Sequence, residues 1–142
     1  MLTFTNTVKM EENGSAVMQL PGAGEVPFGP PPEFGGSENV LSPEEMFVIS
    51  VNGCLMMSLR YFARKLKVSV LSCKSDATGT LEKGDKGFIF TNIDVRAEAV
   101  VPEAPDVETV KRLEELSEKY CPVSRSLNCP VQYKLLVKTQ DA

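Results

Sequence analysis

The chain has 142 residues, of which 42% are hydrophobic and 24% charged, proportions typical of one soluble globular domain. Its net charge is −4. Because no basic surplus is available to neutralise phosphates, we predict neither nucleic acid nor a membrane as a partner. The chain has four cysteines and no histidine, which excludes Cys-His nucleophiles and histidine-based metal sites within one chain. We therefore expect no metal and no cofactor.

The amino terminus and the cysteine usage together predict the compartment. The segment Met1–Thr5 has neither the basic start nor the apolar core of a signal peptide. We therefore expect a cytoplasmic protein whose cysteines stay reduced and do not form a static disulfide framework.

Residues 1–40 contain a predicted hairpin followed by a loop. Two strand-like stretches, 3–9 and 15–20, flank Asn13-Gly14, a dipeptide that favours a turn with positive φ. The stretch from Pro21 to Gly36 is rich in glycine and proline, which predicts a loop and no helix.

The strongest local signal is a helix start at Ser42-Pro43-Glu44-Glu45. The serine can cap the helix, the proline suits the first helical position, and the second glutamate completes a capping box. We predict that the helix ends near Lys65. Its stretch 46–62 is apolar on nearly every face, but the continuous apolar run, 46–59, is too short to span a bilayer. The sequence therefore predicts a buried helix enclosed by strands, with further cover from a second subunit.

The later elements complete an α+β pattern. They follow in chain order: strands at 68–81 and 88–101, a helix at 107–120 and a strand at 131–138. Strands, long helix, strands, helix and strand in this order predict a single α+β domain over residues 1–142. Within it, 1–40 form the hairpin and loop, and 41–138 form the core.

Two of the four cysteines are candidates for chemistry. Cys54 lies in the middle of the long helix, where a cysteine alone is most often a small apolar side chain. Cys121 precedes a proline at a helix start, where backbone N–H groups and the helix dipole would stabilise a thiolate, and Arg125 adds a cation one turn on. Cys73 and Cys129 have neither a CxxC partner nor zinc-site spacing, so we interpret them as structural. If the Cys54 and Cys121 thiols meet in space, reversible thiol–disulfide chemistry is expected.

Four segments resemble the OsmC/Ohr family. They are Ser42-Pro43-Glu44-Glu45, Gly53-Cys54, Gly87-Phe88-Ile89-Phe90-Thr91-Asn92-Ile93-Asp94-Val95 and Cys121-Pro122-Val123-Ser124-Arg125-Ser126-Leu127. The resemblance covers about residues 41–137, and the last segment is its most specific part.

This resemblance implies a thiol peroxidase that reduces organic hydroperoxides. Cys54 would attack the peroxide and become a sulfenic acid, and Cys121 would resolve it as a disulfide. A dithiol reductant, which is a lipoyl protein in some members, would restore both thiols. The resemblance also implies an intertwined homodimer, in which antiparallel sheets wrap around long central helices and the sites lie at the interface.

Glu44 matches the family's glutamate that orients an arginine near the reactive thiol. Ten residues separate Glu44 from Cys54, which is about 15 Å along one helix. Their side chains cannot meet within that helix. The resemblance therefore implies that Glu44 acts from the partner subunit or through a long intermediary.

The sequence departs from the Ohr branch at the cation that stabilises the thiolate. Members of that branch have an arginine near the amino terminus, whereas the first arginine here is Arg60. Two substitutes are available: Lys9, the only basic residue of the predicted hairpin, and Arg125, if Cys121 lies close to Cys54. The missing arginine favours an alternative, a non-catalytic or redox-sensing member of the same fold.

Overall fold

A computed structural model describes residues 1–141 of the chain. These residues divide into two compact units. The first unit covers 1–47 and the second begins at residue 48, so that the boundary lies inside the long helix. The single domain expected over residues 1–142 stays a prediction.

The first unit contains a three-stranded antiparallel sheet. Its strands, in spatial order, are β1 (Thr7–Met10), β2 (Ala16–Leu20) and β3 (Gly24–Phe28). Gly14 has a φ of 89° in the turn between β1 and β2, where the Asn-Gly pair predicted positive φ. The predicted hairpin is confirmed.

The loop expected from Pro21 to Gly36 is wrong in part, because it contains β3 and a short 3₁₀ turn at Pro32–Phe34. Pro27 lies in the middle of β3, opposite Val17 of β2. Proline cannot donate to a ladder and is tolerated at a sheet edge. Since β3 is the edge strand of this sheet, the proline that argued against a strand is compatible with one.

The long helix α1 (Pro43–Lys65) begins with the predicted capping box. The Ser42 backbone N–H donates to Glu45 Oε2 at 3.1 Å, and the Glu45 N–H donates to Ser42 Oγ at 3.1 Å. These two bonds satisfy backbone donors that would otherwise lack partners in the first turn. By length and composition α1 also qualifies as a membrane span, a property shared with the core helices of soluble proteins.

Residues 1–141 cover one face of α1, whereas the sequence predicted a helix enclosed by strands with further cover from a second subunit. The covered side chains recur every four residues: Val51, Leu55, Leu59 and Ala63. On the other side, Ile49, Met57 and Tyr61 are each more than half exposed. The described residues therefore cover one face of α1, and the further cover expected from a second subunit stays a prediction.

The second unit contains a mixed sheet. Its strands, in spatial order, are β4 (Ser72–Gly84), β5 (Gly87–Val101) and β6 (Val131–Thr139). β4 and β5 form an antiparallel hairpin, whereas β6 runs parallel to β5 and so differs from the antiparallel pairing expected of the sheets. Alternate β5 residues from Ile93 to Val101 are buried and, with the covered face of α1, form the core of this unit.

Gly79 allows β4 to approach α1 closely. A Cβ atom at this position would lie 2.5 Å from Val48 Cγ2 and 3.0 Å from the Phe90 ring. A side chain here would therefore push the strand away from the helix. On the same strand, the Ser75 carbonyl accepts a hydrogen bond of 3.1 Å from Asn52 Nδ2 of α1.

Helix α2 (Val107–Lys119) is joined to the outer edge of β6. Asp106 caps the helix by accepting a hydrogen bond of 2.7 Å from the Thr109 N–H. Glu114 Oε2 accepts a hydrogen bond of 2.7 Å from the Leu135 N–H. A short helix, α3 (Pro122–Arg125), follows α2 directly. These elements confirm the predicted α+β class.

Candidate functional site

The structure brings together the two cysteines on which the redox hypothesis depends. Cys54 lies in the middle of α1, and Cys121 caps α3. The Cys121 side chain is close enough to act on the Cys54 thiol as a hydrogen-bond partner. Both cysteines are free thiols in this structure. The pair is therefore arranged as a reduced dithiol.

Cys121 occupies the cap position that the sequence predicted, with φ −73° and ψ 108°, and it is fully buried. Its sulfur makes no capping hydrogen bond, however. The Cys121 carbonyl instead accepts from the Arg125 N–H at 3.1 Å and from Ser124 Oγ at 3.3 Å. The thiolate-stabilising N–H contacts expected for Cys121 are thus absent from the described part of the chain.

The Cys54 thiol lies in a surrounding that favours its protonated form. Burial raises the pKa of Cys54 above its ordinary value, and the Cys121 thiol raises it further. The Val123 backbone and the Ser58 hydroxyl act in the opposite direction but do not outweigh burial. No lysine or arginine of residues 48–141 is among the groups that act on this thiol. At neutral pH, this chain alone therefore leaves Cys54 uncharged.

A cavity of about 760 Å³ opens beside Cys54. One wall comes from α1 and the residue after it: Met57, Ser58, Tyr61, Phe62, Lys65 and Leu66. The other wall comes from α2, the residue that follows it and the first residue of α3: Arg112, Leu116, Tyr120 and Pro122. Aromatic and aliphatic side chains form most of the surface, so the cavity suits an apolar molecule with few polar groups.

The other predicted site residues lie in different surroundings. Lys9 forms an exposed ion pair of 3.8 Å with Glu25, which matches a solvated strand lysine. Glu44 lies in the first turn of α1, and its Oε2 is buried without a hydrogen-bond partner among residues 1–141. Arg125 is exposed at the end of α3 and is not among the groups that act on Cys54.

The remaining cysteines show no arrangement for chemistry. Burial, followed by the Glu98 charge, raises the pKa of the Cys73 thiol, so this group stays protonated at neutral pH. Cys129 is a half-buried free thiol. No cluster of three or more Cys, Asp or Glu side chains within residues 1–141 is arranged to hold a metal ion.

The sequence analysis missed several residues that line the cavity, among them Lys65, Arg112 and Tyr120. Lys65 follows Cys54 by eleven residues, close to three helical turns, so helical spacing alone places it on the same stripe of α1. Arg112 lies in α2, and Tyr120 is the residue that follows it. Their place beside α1 depends on tertiary packing, such as the Phe62–Tyr120 ring contact at 5.6 Å between centroids.

Comparison with known proteins gives consistent matches in sequence and fold. A model of the family described as OsmC-like protein matches residues 35–135. The chain is 26% identical over 113 residues to peroxiredoxin OsmC of Escherichia coli strain K12, which covers 80% of this chain and 78% of that protein.

Solved structures extend the similarity to nearly the whole chain. An OsmC-like protein of unknown function from Vibrio cholerae has a TM-score of 0.85 at 20% identity, covering 96% of this chain and 100% of that one. An organic hydroperoxide resistance protein OsmC from Legionella pneumophila has a TM-score of 0.72 at 21% identity, covering 97% and 99%. At these identities the structural matches confirm the predicted fold, and the family model spans well over half of the sequence. The chain belongs to the OsmC-like protein family.

Proposed function

We propose that this protein is a thiol peroxidase that reduces organic hydroperoxides. The observation that carries the proposal is the approach of the Cys54 and Cys121 thiols at one end of an apolar cavity. The names of relatives support a peroxide-related redox role: one is a peroxiredoxin and another an organic hydroperoxide resistance protein.

In the first step, Cys54 attacks the distal oxygen of the hydroperoxide. The O–O bond breaks, an S–O bond forms, and the leaving alkoxide takes up a proton to become an alcohol. Cys54 is oxidised to a sulfenic acid, and the hydroperoxide is reduced. The neighbouring apolar cavity would hold the organic part of the substrate while the peroxide group reaches the sulfur.

In the second step, the Cys121 thiol gives up its proton and attacks the sulfenic sulfur. An S–S bond forms between the two residues, and hydroxide leaves as water after it takes up the Cys121 proton. A dithiol reductant then attacks the disulfide, and two exchange reactions return both cysteines to thiols while the reductant becomes a disulfide. We place this cycle in the reducing cytoplasm, where such a reductant is regenerated.

We further propose that a second copy of the chain completes the site. The Cys54 thiol needs a nearby cation to ionise at neutral pH, and residues 48–141 supply none to it. Ile49, Met57 and Tyr61 leave an apolar face of α1 exposed in the single chain, which a homodimer would cover. The unpartnered Glu44 oxygen suits the role of orienting a cation at that interface.

Mass spectrometry after oxidation without reductant tests the cycle. Treatment of the protein with cumene hydroperoxide is expected to give a disulfide-linked Cys54–Cys121 peptide pair. In Cys121→Ser the reaction is expected to stop at a Cys54 sulfenic acid that dimedone traps. Cys73→Ser is the matched control and should oxidise like the unaltered protein. Two free thiols after treatment would overturn the proposal.

A redox-sensing role without rapid turnover is the second candidate. The raised pKa of Cys54, set by burial and by the Cys121 thiol without a compensating cation, favours this alternative. Steady-state assays with excess dithiol separate the two functions. A peroxidase consumes many equivalents of hydroperoxide, whereas a sensor forms its disulfide once and is reduced slowly.

A further inference from the structure

We infer that Tyr133 donates a hydrogen bond from its hydroxyl to the Cys121 thiolate, and that this bond makes Cys121 the leaving group when a Cys54–Cys121 disulfide is reduced. The reductant is thereby directed to the Cys54 sulfur. The inference rests on the proposed function for the place of this disulfide in a catalytic cycle. The thiol–disulfide exchange itself can be tested without a peroxide.

The first argument is the position of Tyr133 in the core of the second unit. It lies on β6 opposite Val95 of β5, and residues in register on neighbouring strands share a face of the sheet. Val95 is fully buried and Tyr133 is 7% exposed, so the ring belongs to the buried face. A buried tyrosine hydroxyl usually has a hydrogen-bond partner. The Tyr133 hydroxyl has none among residues 1–141, so it is available to a group that becomes charged.

The second argument is the chemistry of the groups around this hydroxyl. Burial raises the pKa of Tyr133 above its ordinary value, and the charges of four neighbouring groups raise it further: Cys73, Glu114, Cys121 and Glu118. No lysine or arginine of residues 48–141 is among the groups that act on it. The phenol therefore keeps its proton at neutral pH, so that it can donate to an anion but cannot act as a phenolate base.

The third argument identifies the acceptor among these four groups. The Glu114 carboxylate already accepts a hydrogen bond of 2.7 Å from the Leu135 N–H. Glu118 is exposed, so water solvates its carboxylate. Burial raises the pKa of the Cys73 thiol, which therefore stays protonated at neutral pH. Cys121 alone of the four is fully buried, and the proposed cycle requires it to become a thiolate.

The fourth argument is that a Cys121 thiolate needs a donor. A buried anion is costly unless hydrogen bonds replace the water that it loses. The Cys121 sulfur makes no capping hydrogen bond at the start of α3, so the helix terminus does not supply one. Because Tyr133 and Cys121 act on each other electrostatically, the two groups lie close together in the core. The free Tyr133 O–H is the donor that we assign to this thiolate.

This hydrogen bond determines which sulfur leaves during reduction. Cys54 is half-buried and lines the cavity, whereas Cys121 has no exposed surface. A thiolate of the dithiol reductant therefore forms an S–S bond with the Cys54 sulfur and breaks the bond between Cys54 and Cys121. Cys121 leaves with the electron pair of the broken bond and then takes up a proton from water. The second thiol of the reductant closes the reductant's own disulfide and releases Cys54. Since a stabilised thiolate leaves faster, the bond from Tyr133 speeds the first exchange.

The rate at which a preformed disulfide is reduced tests the inference. Diamide, which oxidises neighbouring thiols without a peroxide, is expected to link Cys54 to Cys121. Quenched-flow mass spectrometry with excess dithiothreitol then gives the rate of reduction. Tyr133→Phe removes only the hydroxyl and is expected to slow this reduction roughly tenfold or more, as expected for the loss of a hydrogen bond to a charged group. An unchanged rate, or no disulfide after diamide, would overturn the inference.

Ser75→Ala is the matched control. The Ser75 hydroxyl is also buried without a partner among residues 1–141, but it is not among the groups that act on Tyr133 or Cys54. Its removal is expected to leave the rate of reduction unchanged. Equally slow reduction in Ser75→Ala would overturn the inference.

The stability of the reduced protein separates a role in the exchange from a role in packing. Tyr133→Phe is expected to keep the urea midpoint of the unaltered protein, because the hydroxyl is bonded to no group of the described chain in this state. A lower midpoint would mean that the hydroxyl supports the fold and would overturn the inference.

A mixed disulfide identifies the sulfur that the reductant attacks. After diamide treatment, one equivalent of 2-mercaptoethanol followed by an acid quench is expected to give an adduct on the Cys54 peptide. An adduct on the Cys121 peptide instead would overturn the inference.

Turnover of cumene hydroperoxide separates this inference from the proposed function. No turnover, combined with a rate of disulfide reduction that depends on Tyr133, would refute the peroxidase and leave the role of Tyr133 standing. Turnover with equal rates of reduction in the unaltered protein and Tyr133→Phe would refute the role of Tyr133 and leave the peroxidase standing.

Discussion

The two faces of α1 have similar composition but different surroundings. One face carries Val51, Leu55 and Leu59, which are almost completely buried against the sheet of the second unit. The other carries Met57 and Tyr61, which remain more than half exposed. Since apolar side chains occur on both sides, hydrophobicity alone does not tell the core face from a face that binds a ligand or another subunit.

Cys54 lies at the border between these faces. Its neighbour Leu55 is fully buried, whereas Cys54 itself is half-buried and lines the cavity. This position fixes the thiol on a rigid element while leaving its sulfur accessible to a ligand. The comparison teaches that the covered face holds the helix in place and that the border leaves room for the chemistry proposed at Cys54.

The largest expected effect is the loss of activity at the border. Cys54→Ser is expected to reduce hydroperoxide turnover to that of the buffer control, because an alcohol does not replace a thiol as the nucleophile. Cys73→Ser, which changes a thiol away from the cavity, is expected to keep the activity of the unaltered protein. Turnover measured with a dithiol reductant checks both, and equal activities in the two variants would contradict the role of Cys54.

The second-largest expected effect is a difference in the free energy of unfolding between substitutions on the covered face and on the exposed face of α1. Leu55→Ala is expected to reduce the free energy of unfolding by about 2–5 kcal/mol, since it removes buried methyl groups and leaves a cavity. Arg60→Ala, on the exposed side of the same helix, is expected to change it by about 0.5 kcal/mol or less. Urea denaturation measures both. Similar losses would mean that the outward face is also part of the core.

A third effect tests what covers the outward face. Ile49→Glu places a charge where the proposed homodimer would bury an apolar side chain, so we expect a mass of one protomer by light scattering. The unaltered protein is expected to have twice that mass. Arg64→Glu, a charge change at an exposed residue of the same helix, is the control for the general effect of charge. A single-protomer mass for the unaltered protein would exclude the homodimer.

The smallest effect concerns pH. Burial and the Cys121 thiol raise the pKa of Cys54, so the folded protein holds this proton to higher pH than the unfolded chain does. The stability that Cys54 contributes is therefore complete below the unfolded pKa of about 8.5 and is lost as the pH rises through the folded pKa. The free energy of unfolding is expected to fall more steeply with alkaline pH in the unaltered protein than in Cys54→Ala.

Alkylation by iodoacetamide gives an independent measure of the same thiol. Cys121→Ala is expected to lower the pKa of Cys54, because the side chain that raises it by hydrogen bonding and by charge is removed. The pH at which Cys54 reacts half-maximally should therefore decrease. An unchanged profile would contradict the contact between the two thiols.

The features that the sequence predicted correctly are those that depend on local signals. The capping box at Ser42 and Glu45 consists of contacts between residues three apart, so a short motif is enough to identify it. The parallel direction of β6 beside β5 has no such signal, because alternation is the same in parallel and antiparallel strands. The strand β3 was missed because Pro27 is compatible only with an edge, and edge position is a tertiary property.

The residues of the candidate site also differ in whether a local sequence signal identifies them. Cys54 and Cys121 were found through their motifs, and the structure places them side by side. Arg112 and Tyr120 gave no signal, since nothing local shows that this face of α2 packs beside α1. Lys65, like Met57, Ser58 and Tyr61 on the same helix, was within reach of sequence reasoning through its helical spacing from Cys54.

The bond between Glu114 and Leu135 makes the two edges of the second sheet unequal in their risk of aggregation. The Leu135 N–H on the open side of β6 is already occupied by a carboxylate, so an incoming strand from another molecule would have to break a bond of 2.7 Å. The β4 edge has no comparable α2 carboxylate. If partly unfolded molecules join by strand addition, growth should begin at β4, and charged residues placed there would retard fibrils more than the same residues placed on β6.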